Sequence, residues 1–102
     1  DPDPAGRALA AACIAAIPHE AYRVTVRSML GFDRRAALAT IDVPTLVLAA
    51  NRNTNAPADM MQRMAGQLPD SRYGCLGGVG HLPNLEWPDG FNGAVEGFLN
   101  CL

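Results

Sequence analysis

The sequence predicts an α/β fold in which two short parallel strands form one end of a sheet. Three observations carry this. Val43 to Ala50 is a short continuous apolar run, as expected of a strand buried on both faces. Ser71 to Leu76 reads as a second short strand. Between them Pro57 opens a stretch in which Met60, Met61, Met64 and Leu68 recur at helical spacing. Strand, helix and strand in that order imply a parallel, right-handed crossover.

Local signals place the remaining elements in chain order. Asp3-Pro4 reads as an N-cap with proline at the first helical position, and Ala5 to Ile17 is alanine-rich enough to continue as a helix until Pro18 breaks it. His19 to Leu30 gives a second helix ended by Gly31. Asp33 caps a short third segment, Arg34 to Ala39, with Leu38 as its apolar contact. Pro44 is tolerated at the first residue of the first strand. The polar loop Asn51 to Asn55 follows that strand, and Pro69-Asp70 ends the methionine-bearing helix. Pro88 opens a last helix with Phe91, Val95, Phe98 and Leu99 on one face, directed at the sheet. A parallel pair alone leaves an edge and apolar faces open, so this chain is expected to need neighbouring strands.

Length and composition set bounds on function. A chain of 102 residues is one domain at most and buries roughly 65% of its unfolded surface. Hydrophobic residues at 49%, charged residues at 18% and a net charge of −2 describe a globular protein without the basic footprint of a nucleic-acid binder. No apolar run reaches the ~20 residues of a bilayer span, and Asp1-Pro2-Asp3-Pro4 lacks the basic start of a signal peptide. The expectation is a soluble, cytoplasmic protein with neither nucleic-acid nor membrane partners. Cys13, Cys75 and Cys101 are odd in number and lack CxxC spacing. Buried free thiols are therefore expected, with no disulfide framework, metal site or cofactor.

The most informative stretch is Gly77-Gly78-Val79-Gly80-His81, a histidine in a glycine-rich turn just after the second strand. Asn51 to Ala56 and Gly77 to Leu85 are expected side by side at the carboxyl ends of parallel strands, where open α/β sheets keep their active sites. The ordered residues Ile41 to Ala49, Asn53, Asn55-Ala56-Pro57, Gly80-His81, Glu86, Pro88, Phe91 and Phe98-Leu99 resemble the C-terminal end of α/β-hydrolases, most closely 3-oxoadipate enol-lactonase-like hydrolases and related esterases. The resemblance covers residues 34–102 as the last strand-helix-strand-helix part of that fold. Residues 1–33 resemble, less distinctively, the end of the helical cap inserted before it.

The resemblance implies that His81 is the triad histidine, which takes the nucleophile's proton and returns it to the leaving group. It puts Asn53 at the triad acid position, where a carboxylate is usual. The G-x-S-x-G elbow that bears the nucleophile is missing: Ser28 and Ser71 lack flanking glycines. Cys75, in Tyr73-Gly74-Cys75-Leu76-Gly77, lacks the first glycine of a cysteine elbow, and its thiol is expected to point into the sheet. Glu86 is expected to anchor the turn before the last helix, His19 to be a solvated or capping side chain, and Asp33, Asp42 and Asp59 to serve as caps or first-turn charges. Two readings follow. In one, the chain is the C-terminal portion of an ester- or lactone-cleaving hydrolase, needing an N-terminal part with the nucleophile. In the other, it is a non-catalytic domain that dimerises or swaps elements through its open sheet edge, its partner being a second copy.

Overall fold

A computed structural model describes residues 3–102; Asp1-Pro2, part of the start read as lacking a signal peptide, lies outside the described residues. Helix α1 spans Pro4–Ala15, and the Asp3 carboxylate caps it by accepting from the Ala5 N–H at 3.0 Å. It stops short of Ile17, whose N–H makes a tighter bond to the Ile14 carbonyl, because the residue before proline is disfavoured in the α region. Pro18 starts α2, His19–Leu30, and Gly31 closes it at φ −100° without a left-handed turn. A 3₁₀ helix, Arg35–Thr40, follows. The Asp33 carboxylate caps it by accepting from the Arg35 N–H at 3.1 Å and holds the Arg35 guanidinium at 3.0 and 2.6 Å.

Strands β1, Thr45–Ala50, and β2, Ser71–Leu76, pair in parallel with Thr45 opposite Ser71 and Ala50 opposite Leu76. The expected first strand began at Val43, but Pro44 has no N–H to offer a ladder, and pairing starts at Thr45. Helix α3, Ala58–Gln67, joins the strands and covers one face, where Val47, Ala65 and Leu68 form a core flanked by Leu38, Met61, Met64 and Tyr73. One-turn helix α4, Pro83–Glu86, leads into α5, Pro88–Leu99. Phe91 and Ala94 of α5 cover the opposite face over Ala50, Leu76, Val79 and Leu48. Side chains alternate between faces along each strand, so the two helices lie on opposite sides of the pair.

Three expectations fail for reasons of packing. Met60 is exposed, because Met61 and Met64 are the pair that α3 turns to the core. Leu99 is exposed at the end of α5, beyond the residues that reach the sheet. All three cysteines are exposed rather than buried. Cys13 lies on α1, whose only buried residue is Gly6; Cys101 follows α5; and Cys75 lies on β2 with its side chain uncovered.

The far edge of β1 is unpaired. An apolar groove of about 620 Å³ runs along it, walled by Leu46, Met61, Leu68, Val95 and Phe98. Among the described residues no helix is long and apolar enough to cross a membrane.

Helix α1 docks on the segment after the histidine turn: the Asp3 N–H donates to the Glu86 carbonyl at 3.0 Å, and Gly6 is pressed onto the Leu85 backbone. A Cβ at position 6 would collide with the Leu85 carbonyl. Gly6→Ala should therefore lift α1 and cost about 1–3 kcal/mol, read as faster amide exchange in residues 3–12 and a lower unfolding midpoint. Hydrogen bonds from the Arg35 side chain and backbone pull Asp33 down to about 2. That lies below the ordinary ~3.9 of an unfolded chain, so the cap's stabilisation is complete above about pH 4 and is lost as pH falls towards 2. NMR titration of Asp33 checks this, and Arg35→Gln should raise its midpoint only part of the way to the ordinary range, because the backbone N–H of residue 35 still donates to it.

Candidate active site

The two loops that leave the carboxyl ends of β1 and β2 are bound to each other. The strand ladder continues past its last pair: Asn51 N–H donates to the Leu76 carbonyl at 3.0 Å and Arg52 N–H to the Val79 carbonyl at 3.0 Å. The Asn51 side chain adds a third tie, its Oδ1 accepting from the Gly78 N–H at 2.7 Å. Gly78 sits at φ +78°, a left-handed conformation that suits glycine. It lets the chain reverse over the strand end and carry His81 to the surface.

Glu86 fixes the rest of the turn. Its Oε2 accepts from the Gly80 N–H at 2.9 Å and from the Leu82 N–H at 3.3 Å, so one carboxylate holds the amides on both sides of His81. This is the anchoring role expected of it. Gly80 leaves room for the clamp, since a Cβ there would stand 3.3 Å from Glu86 Oε2. His81 itself is exposed, its backbone position set by neighbours and its imidazole open to a reacting group.

Asn53 is half-buried in the facing loop. Its Oδ1 accepts from the Asn55 N–H at 3.1 Å and the Ala56 N–H at 3.2 Å, closing the turn that leads into α3. The geometry thus brings His81 and Asn53 to the same sheet edge, and among the described residues neither side chain hydrogen-bonds the other. Both serine hydroxyls are engaged with backbone: Ser28 donates to the Thr25 carbonyl at 2.7 Å and Ser71 to the Ala65 carbonyl at 2.6 Å. Asp59 pairs with Arg63 on the surface of α3, which holds its carboxyl below the usual range. Neither it nor Asp33 faces the turn as a substitute acid.

Sequence reasoning missed the part played by Asn51, whose partner is 27 residues away and leaves no local pattern. It also missed α4, a single turn that places Glu86 beneath Gly80.

Replacing Glu86 by Gln keeps the size of the side chain and removes the charge that strengthens both bonds. E86Q should speed amide exchange at Gly80 and Leu82 by about tenfold and cost roughly 1–2 kcal/mol. Unchanged exchange at those two amides would show that the carboxylate does not hold the turn.

No family model matches the chain. Among curated proteins it is 33% identical over 76 residues to a protein of Pseudomonas savastanoi pv. phaseolicola named as the carbamate hydrolase RutD; the match takes in 74% of this chain and 29% of that protein. The chain thus spans about three-tenths of the length of such relatives. Among solved structures it superposes on a thermophilic esterase from Thermogutta terrifontis with a TM-score of 0.63 and 30% identity, over 65% of this chain and 24% of that one. It superposes on a serine hydrolase involved in carbazole degradation, the CarC enzyme, with a TM-score of 0.73 and 25% identity, over 81% and 34%.

Proposed function

We propose, from the premise that this chain is related to the α/β-hydrolases and carries the last two strands of their sheet with the flanking helices, that His81 is the general base of an acyl hydrolase acting on esters or lactones. One observation carries the reading. His81 is an exposed residue of a turn that Asn51 and Gly78 tie to the loop after β1 and Glu86 holds in shape, at the carboxyl edge of a parallel pair. A base must present a ring nitrogen to a nucleophile brought in from outside this chain, and that exposure permits it. The hydroxyls of Ser28 and Ser71 are bonded away from the turn and Cys75 sits within β2 with its Sγ 4.0 Å from the Leu76 carbonyl, so this reading assigns the nucleophile to a polypeptide seated along the open edge of β1. The names of the relatives fit this class, since carbamate and ester cleavage both begin with attack on an acyl carbonyl.

His81 takes the proton of the incoming hydroxyl as the acyl bond forms and gives it to the leaving group as the carbonyl reforms. Asn53 occupies the position from which a carboxylate would stabilise the resulting imidazolium. A second reading, in which the open groove along β1 receives another copy of this chain and no chemistry occurs, is favoured by the unpaired edge alone.

Both readings meet one experiment. The chain is mixed with the part of the Thermogutta esterase that precedes its matching region, and hydrolysis of an activated acetate ester is followed. The expected result is turnover that falls by about 10²–10⁴ in His81→Ala and rises at least about tenfold in Asn53→Asp, because a carboxylate restores the charge beside the ring. Turnover indifferent to His81, or a chain that pairs only with itself, overturns the hydrolase reading.

A further inference from the structure

Beside the histidine turn lies a pocket of about 340 Å³ lined by Arg7, Arg52, Gly78, Gly80 and Glu86. We propose that it is an anion subsite in which Arg7 and Arg52 bind a carboxylate. This rests on the hydrolase reading for its role but not for its existence.

The two arginines, at positions 7 and 52 of the sequence, are brought to one pocket by backbone. Arg7 follows Gly6, whose contact with Leu85 holds α1 against the segment after the turn. Arg52 is placed by its own N–H on the Val79 carbonyl. Among the described residues neither takes part in an ion pair; the three that form join Arg23 to Glu20, Arg35 to Asp33 and Arg63 to Asp59. The pocket's one carboxylate, Glu86, accepts from the Gly80 and Leu82 amides. Two arginines and one engaged carboxylate therefore line the pocket, a formal charge of +1 in a concave site.

The neighbouring amides cannot take an anion, since Gly78 N–H donates to Asn51 and Gly80 N–H to Glu86. Recognition falls to the arginines, whose planar forks match a carboxylate's two oxygens. Gly80 lines the pocket and directly precedes His81 in the chain, so the subsite adjoins the histidine turn.

The test is binding, read without turnover. Succinate and the neutral succinamide are titrated into the ¹⁵N-labelled chain, following the Gly78 and Gly80 amides and the arginine Nε–H signals. Saturable shifts with succinate and none with succinamide are expected. Arg7→Gln and Arg52→Gln should each weaken binding by about fivefold or more, whereas Arg72→Gln, on β2 away from the pocket, should leave it unchanged. Amide dispersion retained in the variants assigns a loss to the missing charge. Shifts that do not saturate, or equal binding by R7Q and R52Q, overturn the subsite. Failure of the mixed enzyme to turn over, with succinate binding intact, overturns only the hydrolase reading.

Discussion

Parallel pairing of β1 with β2 is the constraint from which the site follows. Parallel strands finish at the same edge, and the register that sets Ala50 opposite Leu76 makes their loops leave together. The Asn51 and Arg52 amides then prolong the ladder onto Leu76 and Val79, so the loops are held by backbone before any side chain contributes. A slip of one residue would exchange the α3 and α5 faces and take Val47 out of its core with Ala65 and Leu68. A slip of two would keep the faces but separate Asn51 from Gly78. The loop ties and the two cores thus select the same register, which is why so small a sheet has a defined site at its end.

Much of this was readable because it is local. Capping by Asp3, breaking by Pro18 and the bounds of β2 follow from neighbouring residues, and the helices agree with expectation to within a few positions. What escaped depends on contacts across the chain. Asn51 looks like any polar loop residue until Gly78 is brought beside it, and Glu86 gains its meaning only when α4 turns it under Gly80. The cysteines were misjudged because residue type predicts burial only where packing exists to receive it, and nothing covers positions 13, 75 and 101.

That shortage of cover is general. The accessible surface is 7382 Å², against roughly 5,500 Å² for a compact monomer of this mass. The radius of gyration is 15.5 Å, against about 13 Å for a domain of this length. The excess is apolar in large part: Tyr22, Val24, Met29 and Leu30 of α2, with Phe32, lie exposed, and α2 buries no residue at all. Surfaces of this kind are built to be covered, and the groove along β1 offers a covering strand both unpaired backbone groups and apolar walls.

If His81 acts as the proposed base, its chemistry turns on a tautomer. To accept a proton at Nε2 the neutral ring must carry its hydrogen on Nδ1, and that N–H needs an acceptor. Asn53 has one acceptor atom, Oδ1, and both of its lone pairs are engaged by Asn55 and Ala56. The remaining group of Asn53 is an NH₂, which only donates. Bonded to Nδ1 it would select the opposite tautomer, with hydrogen on Nε2, and the ring would be unable to act as a base towards a hydroxyl. An aspartate at position 53 has a second oxygen free after the same turn is capped, and that oxygen is the acceptor the working tautomer requires. On that reading the loop after β1 holds an amide where a carboxylate would serve, and a proton transfer through His81 would need its Nδ1–H satisfied by an acceptor other than Asn53.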